Sequence, residues 1–209
     1  MTTRRLAVVS SGLSQPSSTR MLADRLTQAV VRRLEEQGIT VEVDVVELRD
    51  TAQDVTNNLL TGFANPKLEA VIEKVTTADG LIAVSPIFTT SYSGLFKSFI
   101  DVLDPQSLNE MPVLIGATGG SERHSLALDY AMRPLFSYLH AAVVPTAVYA
   151  ASSDWGTGGD AAATALPERI ERAAGELAAL MRDSDRSTKV RDPFALPAGF
   201  SPIGAYGGE

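Results

Sequence analysis

The stretch "LAVVSSGLSQPSSTRMLADRL", residues 6–26, decides the fold of this chain. It passes from a short apolar run, through a segment of small and hydroxyl residues, into a helical pattern. Over residues 18–37 apolar residues recur at every fourth position: Leu22, Leu26, Val30 and Leu34. Gly38 follows this pattern and predicts the end of the helix. The stretch predicts a buried strand, a polar loop and an amphipathic helix.

Further apolar runs indicate the rest of a sheet. The short runs bounded by small residues are typical of strands buried on both faces, and they cover residues 6–11, 80–86, 112–120 and 142–150. Residues 39–48 alternate valine with Glu42 and Asp44 instead, which is typical of a strand with one face in water. This second strand is therefore expected at an edge of the sheet.

Helical patterns separate the strands. They cover residues 65–79, with Asn65 as cap and Pro66 at the first position, and residues 93–103, 125–140 and 165–181, with Pro134 predicting a kink or early break. Residues 49–64 are expected to form a short surface helix or a flap. Alternating strands and helices favour parallel strands joined by right-handed crossovers.

The edge position of strand two selects between the common strand orders. It agrees with the flavodoxin-like order 2-1-3-4-5, in which strand two is terminal. The predicted fold is therefore α/β: a five-stranded parallel sheet with helices on both faces, forming a three-layer sandwich. Residues 1–182 are expected to form this one domain, and residues 183–209 an extended tail along the domain or along a partner subunit. The alternative for the tail is a disordered terminus.

The composition excludes several classes of protein. Cysteine is absent from the 209 residues and His124 and His140 are the only histidines, so no metal site is expected. The net charge of −7 opposes binding to nucleic acid. No apolar run reaches the ~18 residues of a membrane span and no signal peptide is completed, so we expect a cytoplasmic protein without membrane association.

Three loops converge on the carboxyl ends of the strands, where open parallel sheets bind ligands. They are residues 10–19, 85–94 and 116–123, all short of charge and rich in serine, threonine and glycine. The first loop combines hydroxyls with the N-terminus of a helix, which predicts a phosphate site; the alternative is that Ser17 or Ser18 only caps the helix.

Missing motifs narrow the ligand. No G-x-x-x-x-G-K-[ST] and no G-x-G-x-x-G follows the first strand, so a monophosphate on a bulky ring system fits better than a triphosphate or a dinucleotide. Ile87, Phe88 and the pair Gly119 and Gly120 allow close approach of a flat heterocycle, although paired glycines also make ordinary turns. No G-x-S-x-G motif supports a serine hydrolase.

The segments "SSGLSQPSSTRMLADRL", "SPIFTTSYSGLFKSFIDVL" and "GATGG" resemble the NAD(P)H-dependent FMN reductase family over roughly residues 4–180. The resemblance is closest to actinobacterial FMN reductases that accompany luciferase-like monooxygenases. In the family pattern P-x-Y-N-x-S-x-P-G-x-L-K-N-x-x-D this chain departs at Phe88, Thr89 and Ser93, and it keeps the spacing at Pro86, Ser91, Gly94, Lys97 and Asp101.

The resemblance implies a set of cofactor contacts. FMN phosphate would be bound by Ser11, Ser17 and Thr19, with Ser14 as a neighbour. The ring would lie along Pro86, Ile87, Phe88 and Thr89, and its other side would be closed by Thr118, Gly119, Gly120 and Ser121. Ser91 and His124 are the candidate substrate contacts, and the alternative for His124 is a hydrogen bond at a helix start.

The resemblance also implies the reaction and the partners. Hydride from NADPH or NADH would pass to the flavin, so no catalytic side chain is expected. Relatives of this kind suggest a homodimer or homotetramer and a flavin-dependent monooxygenase as partner. The alternatives are a quinone or azo-dye reductase with tightly bound FMN, or a non-enzymatic electron carrier. The preference for NADH or NADPH does not follow from the sequence.

Overall fold

The computed structural model describes residues 2–155, 161–184 and 186. Most of the expected tail, residues 183–209, lies outside the described residues. The strands are β1 (Thr2–Ser10), β2 (Ile39–Glu47), β3 (Gly80–Phe88), β4 (Ser91–Tyr92), β5 (Pro112–Gly119), β6 (Ala142–Val143) and β7 (Val148–Ala151). The helices are α1 (Ser18–Glu35), α2 (Ala52–Thr61), α3 (Pro66–Thr76), α4 (Gly94–Asp101), α5 (Arg133–Tyr138) and α6 (Ala161–Arg182).

The long strands form one parallel sheet in the order β2-β1-β3-β5-β6. The β1–β2 ladder runs from Thr2 opposite Ile39 to Ser10 opposite Glu47. The β3–β5 ladder ends with Pro86 opposite Thr118, so both strands finish at the same edge. The predicted α/β sheet with strand two at an edge is confirmed.

The prediction of five strands was wrong, because the described residues form seven. The run 142–150 forms two short strands, β6 and β7, which pair separately with β5. Pro145 lies between them and has no N–H for the ladder. The N–H and hydroxyl of Thr146 turn instead to the two carboxylate oxygens of Glu176, each at 2.7 Å.

The seventh strand is β4, which folds back antiparallel on β3 after a two-residue loop. Its residues belong to the loop that the sequence places at the carboxyl edge. The predicted loop 85–94 is therefore partly a hairpin.

Helices cover both faces of the sheet. On one face α1 and α6 pack over a cluster that includes Leu22, Leu26 and Leu177. On the other face α2, α3, α4 and α5 enclose a cluster with Phe96 and Phe136. Alternate residues of β1 enter the two clusters, as expected for a strand buried on both sides.

The helix starts follow their sequence signals. Asn65 caps α3, its side-chain oxygen accepting from the N–H of Leu68 at 2.9 Å, and Pro66 occupies the first position. Residues 49–64 contain α2, so the helix rather than the flap is confirmed. Within the described ranges no helix is long and apolar enough to cross a membrane.

The predicted helix over residues 125–140 is interrupted. A turn of π-helix spans Leu128–Met132, and α5 begins only at Arg133. Pro134 then lies in the first turn of α5, where its missing N–H leaves no helical hydrogen bond unmade. Of the two expectations for Pro134, a kink or an early break, the interruption before α5 corresponds to the break.

Candidate functional site

A cavity of about 410 Å³ opens at the carboxyl edge of the sheet. This volume lies within the usual range for small-molecule sites. The lining residues come from four loops: Gly12, Leu13, Ser14, Ser18, Thr19, Pro86, Ile87, Phe88, Thr118, Gly119, Gly120, Ser152 and Trp155.

The first wall is the loop between β1 and α1. Ser17 caps α1, its hydroxyl accepting from the N–H of Arg20 at 3.2 Å. A Cβ at Gly12 would lie 2.0 Å from that hydroxyl oxygen, so a larger residue there would displace the Ser17 side chain. The first N–H groups of α1 have no partners within the helix, and Ser18 and Thr19 place them at the cavity.

The second wall is the hairpin of β3 and β4. Ile87 pairs with Tyr92 and Phe88 with Ser91, which leaves Thr89 and Thr90 as the two-residue loop. Both have positive φ, 47° and 70°, as a type I′ turn requires. Threonine is β-branched and rarely adopts this conformation, so the turn is strained.

We expect the double variant Thr89→Asn with Thr90→Gly to relieve this strain. Asparagine followed by glycine is the preferred type I′ sequence, and removing two unfavourable φ values should raise the free energy of unfolding by about 1–2 kcal/mol. Urea denaturation measures the change. Thr77→Asn is the control, because Thr77 has φ −94° and gains nothing. An unchanged or lower urea midpoint in the double variant would contradict the strain.

The third wall is the end of β5 and the loop that follows. The hydroxyl of Tyr149 donates to the carbonyl of Ser121 at 2.7 Å. A Cβ at Gly119 would lie 2.1 Å from the Tyr149 oxygen. Burial raises the pKa of Tyr149, and the nearby carboxylate of Asp154 raises it further, so the hydroxyl keeps the proton that it donates. Tyr149 thereby sets the path of residues 119–121.

Hydrogen bonds between hydroxyl groups connect the loops beneath the cavity. Thr19 and Thr118 share a hydrogen bond of 2.9 Å between their hydroxyls, and both residues are buried. Deeper in the molecule Ser93 donates to the hydroxyl of Ser11 at 3.1 Å, and the hydroxyl of Ser85 accepts from the N–H of Ser93 at 2.9 Å. Buried hydroxyls need such partners, so these bonds fix the loops relative to each other.

The fourth wall follows β7. Trp155 ends a short 3-10 turn, and the guanidinium of Arg25 lies 4.8 Å from the centre of its ring. Asp154 accepts from the N–H of Ala151 at 2.8 Å and from Arg169 at 2.8 Å, which holds the turn. The indole therefore has a fixed position beside the cavity.

The structure brings most of the predicted cofactor residues together. Eight of them line the cavity: Ser14, Thr19, Pro86, Ile87, Phe88, Thr118, Gly119 and Gly120. The other four do not line it. Ser11 is fully buried with its hydroxyl engaged, Ser17 caps α1, Thr89 is in the hairpin turn, and Ser121 bonds Tyr149 through its carbonyl.

Sequence reasoning missed part of the lining. It did not assign Gly12, Leu13, Ser18, Ser152 or Trp155 to the cofactor contacts, although all five line the cavity. Ser152 and Trp155 could have been predicted from their place in the chain. They follow the last predicted strand, whose carboxyl end lies at the same edge of the sheet as the others.

The two candidate substrate residues lie together in a second cavity of about 370 Å³. It is lined by Thr90, Ser91, Arg123, His124, Leu126, Ala127, Tyr130 and Ala131. Phe88 and Gly120 line the first cavity, and the same two loops continue into the second cavity with Thr90, Ser91, Arg123 and His124, so the two cavities are neighbours.

The described lining of the first cavity carries no charged side chain. Positive charge lies just outside it: Arg49 donates to the carbonyl of Ser14 at 3.3 Å and pairs with Glu47 at 2.7 Å. Arg20, in the first turn of α1, pairs with the same Glu47 at 2.6 Å and with Asp24 at 2.7 Å. Across the described ranges, acidic and histidine side chains form no group that could hold a metal ion.

A parallel sheet with a hydroxyl-rich cavity at its carboxyl edge is the arrangement of nucleotide-binding α/β proteins. Residues 4–156 match the model of the family described as NADPH-dependent FMN reductase. A FMN reductase (NADPH) of Pseudomonas aeruginosa is 39% identical over 151 residues, covering 72% of this chain and 78% of the relative. An NADH-dependent FMN reductase, SfnF, of Pseudomonas putida is 37% identical over 146 residues, covering 70% and 76%.

Solved structures agree with this match. An oxidoreductase from Corynebacterium diphtheriae superposes with a TM-score of 0.84 at 44% identity, covering 88% of this chain and all of that one. The apo form of an NADH:FMN oxidoreductase, EmoB, gives a TM-score of 0.69 at 29% identity, covering 82% and 88%.

The chain belongs to the NADPH-dependent FMN reductase family. It is an oxidoreductase whose cofactors are FMN and a reduced nicotinamide nucleotide. The resemblance found in the sequence is confirmed at the level of the family.

Proposed function

We propose that the cavity at the carboxyl edge binds FMN and that the reduced flavin leaves to supply a partner monooxygenase. The observation that carries the binding site is the meeting of three predicted loops around one cavity of about 410 Å³, where a Cβ at Gly12 or Gly119 would clash with Ser17 or Tyr149. Such glycines let the backbone approach a ligand closely.

The phosphate of FMN binds at the N-terminus of α1. Ser14, Ser18 and Thr19 line that end of the cavity. The helix gives the N–H groups of Ser18 and Thr19 no partner, whereas the N–H of Arg20 is bonded to Ser17. Arg20 and Arg49 lie beside this loop, but their charges are offset by Glu47 and Asp24, so the helix N-terminus and the hydroxyls are the main attraction for the phosphate. Ser17 serves by shaping this loop, because its own hydroxyl caps the helix.

The flavin ring lies between the hairpin and the loop after β5. Phe88 is 48% exposed at the rim and offers an aromatic face, while Gly119 and Gly120 offer backbone. N–H groups of this loop are suited to the polar end of the ring, where negative charge collects on reduction. Tyr149 keeps the loop in place by its bond to Ser121.

FMN supplies the redox chemistry by accepting a hydride from the nicotinamide. The residues of this chain supply binding and orientation, which agrees with a cavity lining that holds no acid, base or nucleophile pair among the described residues. The proposed reaction therefore needs no catalytic side chain.

An anaerobic turnover experiment tests whether FMN leaves as a product. The purified protein is mixed with NADPH or NADH and increasing free FMN, and both flavin bleaching and nicotinamide oxidation are followed. We expect bleaching of many equivalents of free FMN per protein. Reduction limited to one bound equivalent would contradict the proposal and favour a quinone or azo-dye reductase with a tightly bound flavin.

Three expectations from the sequence stay predictions. They are the homodimer or homotetramer, the cytoplasmic location and the division into a domain over residues 1–182 and a tail over residues 183–209. The partner monooxygenase belongs to the proposal above, and its supply is measured by coupling the reductase to a flavin-dependent oxygenase in one assay.

A further inference from the structure

The second cavity is adjacent to the proposed flavin site and is not needed to hold FMN. The hairpin separates the two cavities, with Phe88 lining the first and Thr90 and Ser91 lining the second. The loop after β5 does the same, with Gly120 on one side and Arg123 on the other. A ligand longer than the first cavity would therefore pass over these two loops into the second.

A reduced nicotinamide dinucleotide is such a ligand. Its nicotinamide must reach the flavin, while a pyrophosphate and an adenosine extend away from the reacting ring. This step rests on the proposed function of the first cavity. The second cavity, of about 370 Å³, then offers space for the adenosine half.

The chemistry of the second cavity suits adenosine. Tyr130 and Leu126 are 79% and 61% exposed and give an aromatic ring and apolar surface for a purine. Ser91 and His124 add groups that can hydrogen-bond a ribose. Thr90 and Ser91 line the second cavity two and three residues after Phe88 of the first cavity, and their hydroxyls can hydrogen-bond a pyrophosphate.

Arg123 is the feature that points to a particular nucleotide. Among the described residues that line the two cavities it alone carries a permanent charge. Within the described part of the chain it makes no ion pair and no hydrogen bond, unlike the nearby Arg133, which pairs with Asp129 at 2.9 Å. Its neighbour Glu122 accepts from the hydroxyl of Ser153 at 3.0 Å.

An unpaired guanidinium in this place has a clear electrostatic consequence. The whole chain has a net charge of −7, which repels an anionic nucleotide at long range, so attraction must be local. A guanidinium binds a phosphate monoester with two parallel, charge-assisted hydrogen bonds. The dinucleotide that carries such a monoester on its adenosine is NADPH.

We infer that Arg123 binds the 2′-phosphate of NADPH in the second cavity and makes the protein prefer NADPH to NADH. Arg123 is a specificity-determining residue in this assignment and takes no part in hydride transfer. The relatives include both NADPH-dependent and NADH-dependent reductases, so the preference is a property of the individual chain.

The test compares the wild type with Arg123→Gln in steady-state reduction of FMN by each nucleotide. We expect the KM for NADPH to rise about tenfold or more, while the KM for NADH and both kcat values change less than about twofold. Arg172→Gln is the matched control, because Arg172 is exposed on α6, on the other face of the sheet. Equal changes for NADPH and NADH, or no change, would overturn the assignment.

A binding measurement separates this inference from the proposed function. Calorimetry with 2′,5′-ADP and with 5′-AMP uses ligands that lack nicotinamide and need no turnover. We expect 2′,5′-ADP to bind more tightly than 5′-AMP to the FMN-loaded wild type, and the difference to disappear in Arg123→Gln. If the protein reduced no flavin but kept this difference, the proposed function would fail and the role of Arg123 would stand. Equal binding of the two nucleotides by the wild type would overturn the role of Arg123.

Discussion

Replacing Gly119 by alanine is expected to abolish measurable FMN binding and to lower the free energy of unfolding by about 2–4 kcal/mol. The added Cβ would lie 2.1 Å from the hydroxyl oxygen of Tyr149 and 3.2 Å from its Cζ. Tyr149 is buried and its hydroxyl is bonded to Ser121, so the ring cannot move away without losing that bond. The loop must move instead, and it forms one wall of the cavity.

A double-variant comparison identifies the cause. Tyr149→Phe removes the atom that the new Cβ meets first, so Gly119→Ala should be less destabilising in that background than in the wild type. Gly120→Ala is the control for stability, since a Cβ there meets nothing within 4 Å. Thermal and urea unfolding give the stability, and quenching of flavin fluorescence gives FMN affinity. Equal destabilisation in both backgrounds would show that the clash with Tyr149 is not the reason.

The second large effect is expected at Gly12. Its alanine variant would place a Cβ 2.0 Å from the hydroxyl oxygen of Ser17 and 3.1 Å from the Cβ of Thr19. Ser17 must then rotate and give up its cap on α1, which costs about 1 kcal/mol, and displacement of Thr19 strains its bond to Thr118. We expect a loss of about 1–3 kcal/mol in stability and at least a tenfold loss in FMN affinity.

Ser17→Gly is the matched partner for Gly12→Ala. Glycine is acceptable at a helix cap, costing only a few tenths of a kcal/mol, and it removes both Ser17 atoms that the new Cβ would meet. The pair of changes should therefore recover most of the stability lost in Gly12→Ala alone. Gly94→Ala, at the first residue of α4 with open space around it, controls for the loss of a glycine elsewhere. No recovery in the double variant would exclude the contact with Ser17.

Much of the fold was predictable because burial leaves a periodic signal. The apolar spacing in residues 18–37 predicted α1, and Leu22, Leu26, Val30 and Leu34 are all buried. The alternation in residues 39–48 predicted an edge strand, which β2 is. The prediction that the valines of β2 lie on its buried face was less accurate, because Val43 and Val45 are 38% and 40% exposed.

Local backbone conformation left a weaker signal. The hairpin turn depends on positive φ at Thr89 and Thr90, a conformation that the residue type argues against. Tertiary contacts favour the turn instead, because the hydrogen bonds of Ser93 with Ser85 and Ser11 fix the chain just after the hairpin. The π-helical turn at Leu128–Met132 likewise has no characteristic amino-acid pattern from which it could be predicted.

The site was predictable to the level of its loops. Parallel strands end at one edge, so three serine- and glycine-rich loops after strands had to meet there. Which hydroxyl faces a ligand did not follow, because a serine before a helix can bind an anion or cap the helix with the same atom. Ser14 and Thr19 line the cavity, whereas Ser17 caps α1 and Ser11 is buried beneath.

The break between β6 and β7 has a consequence for the protein in concentrated solution. A long, regular strand at the border of a sheet is a template on which another molecule can add its own strand, and this is a route to aggregation. Here β6 is only two residues long, Pro145 offers no donor, and the N–H of Thr146 is taken by Glu176. At the opposite border, β2 carries Glu42 paired with Arg5 and Asp44 paired with Lys74. Charges on one border and an interrupted ladder on the other both oppose growth of the sheet from one molecule to the next.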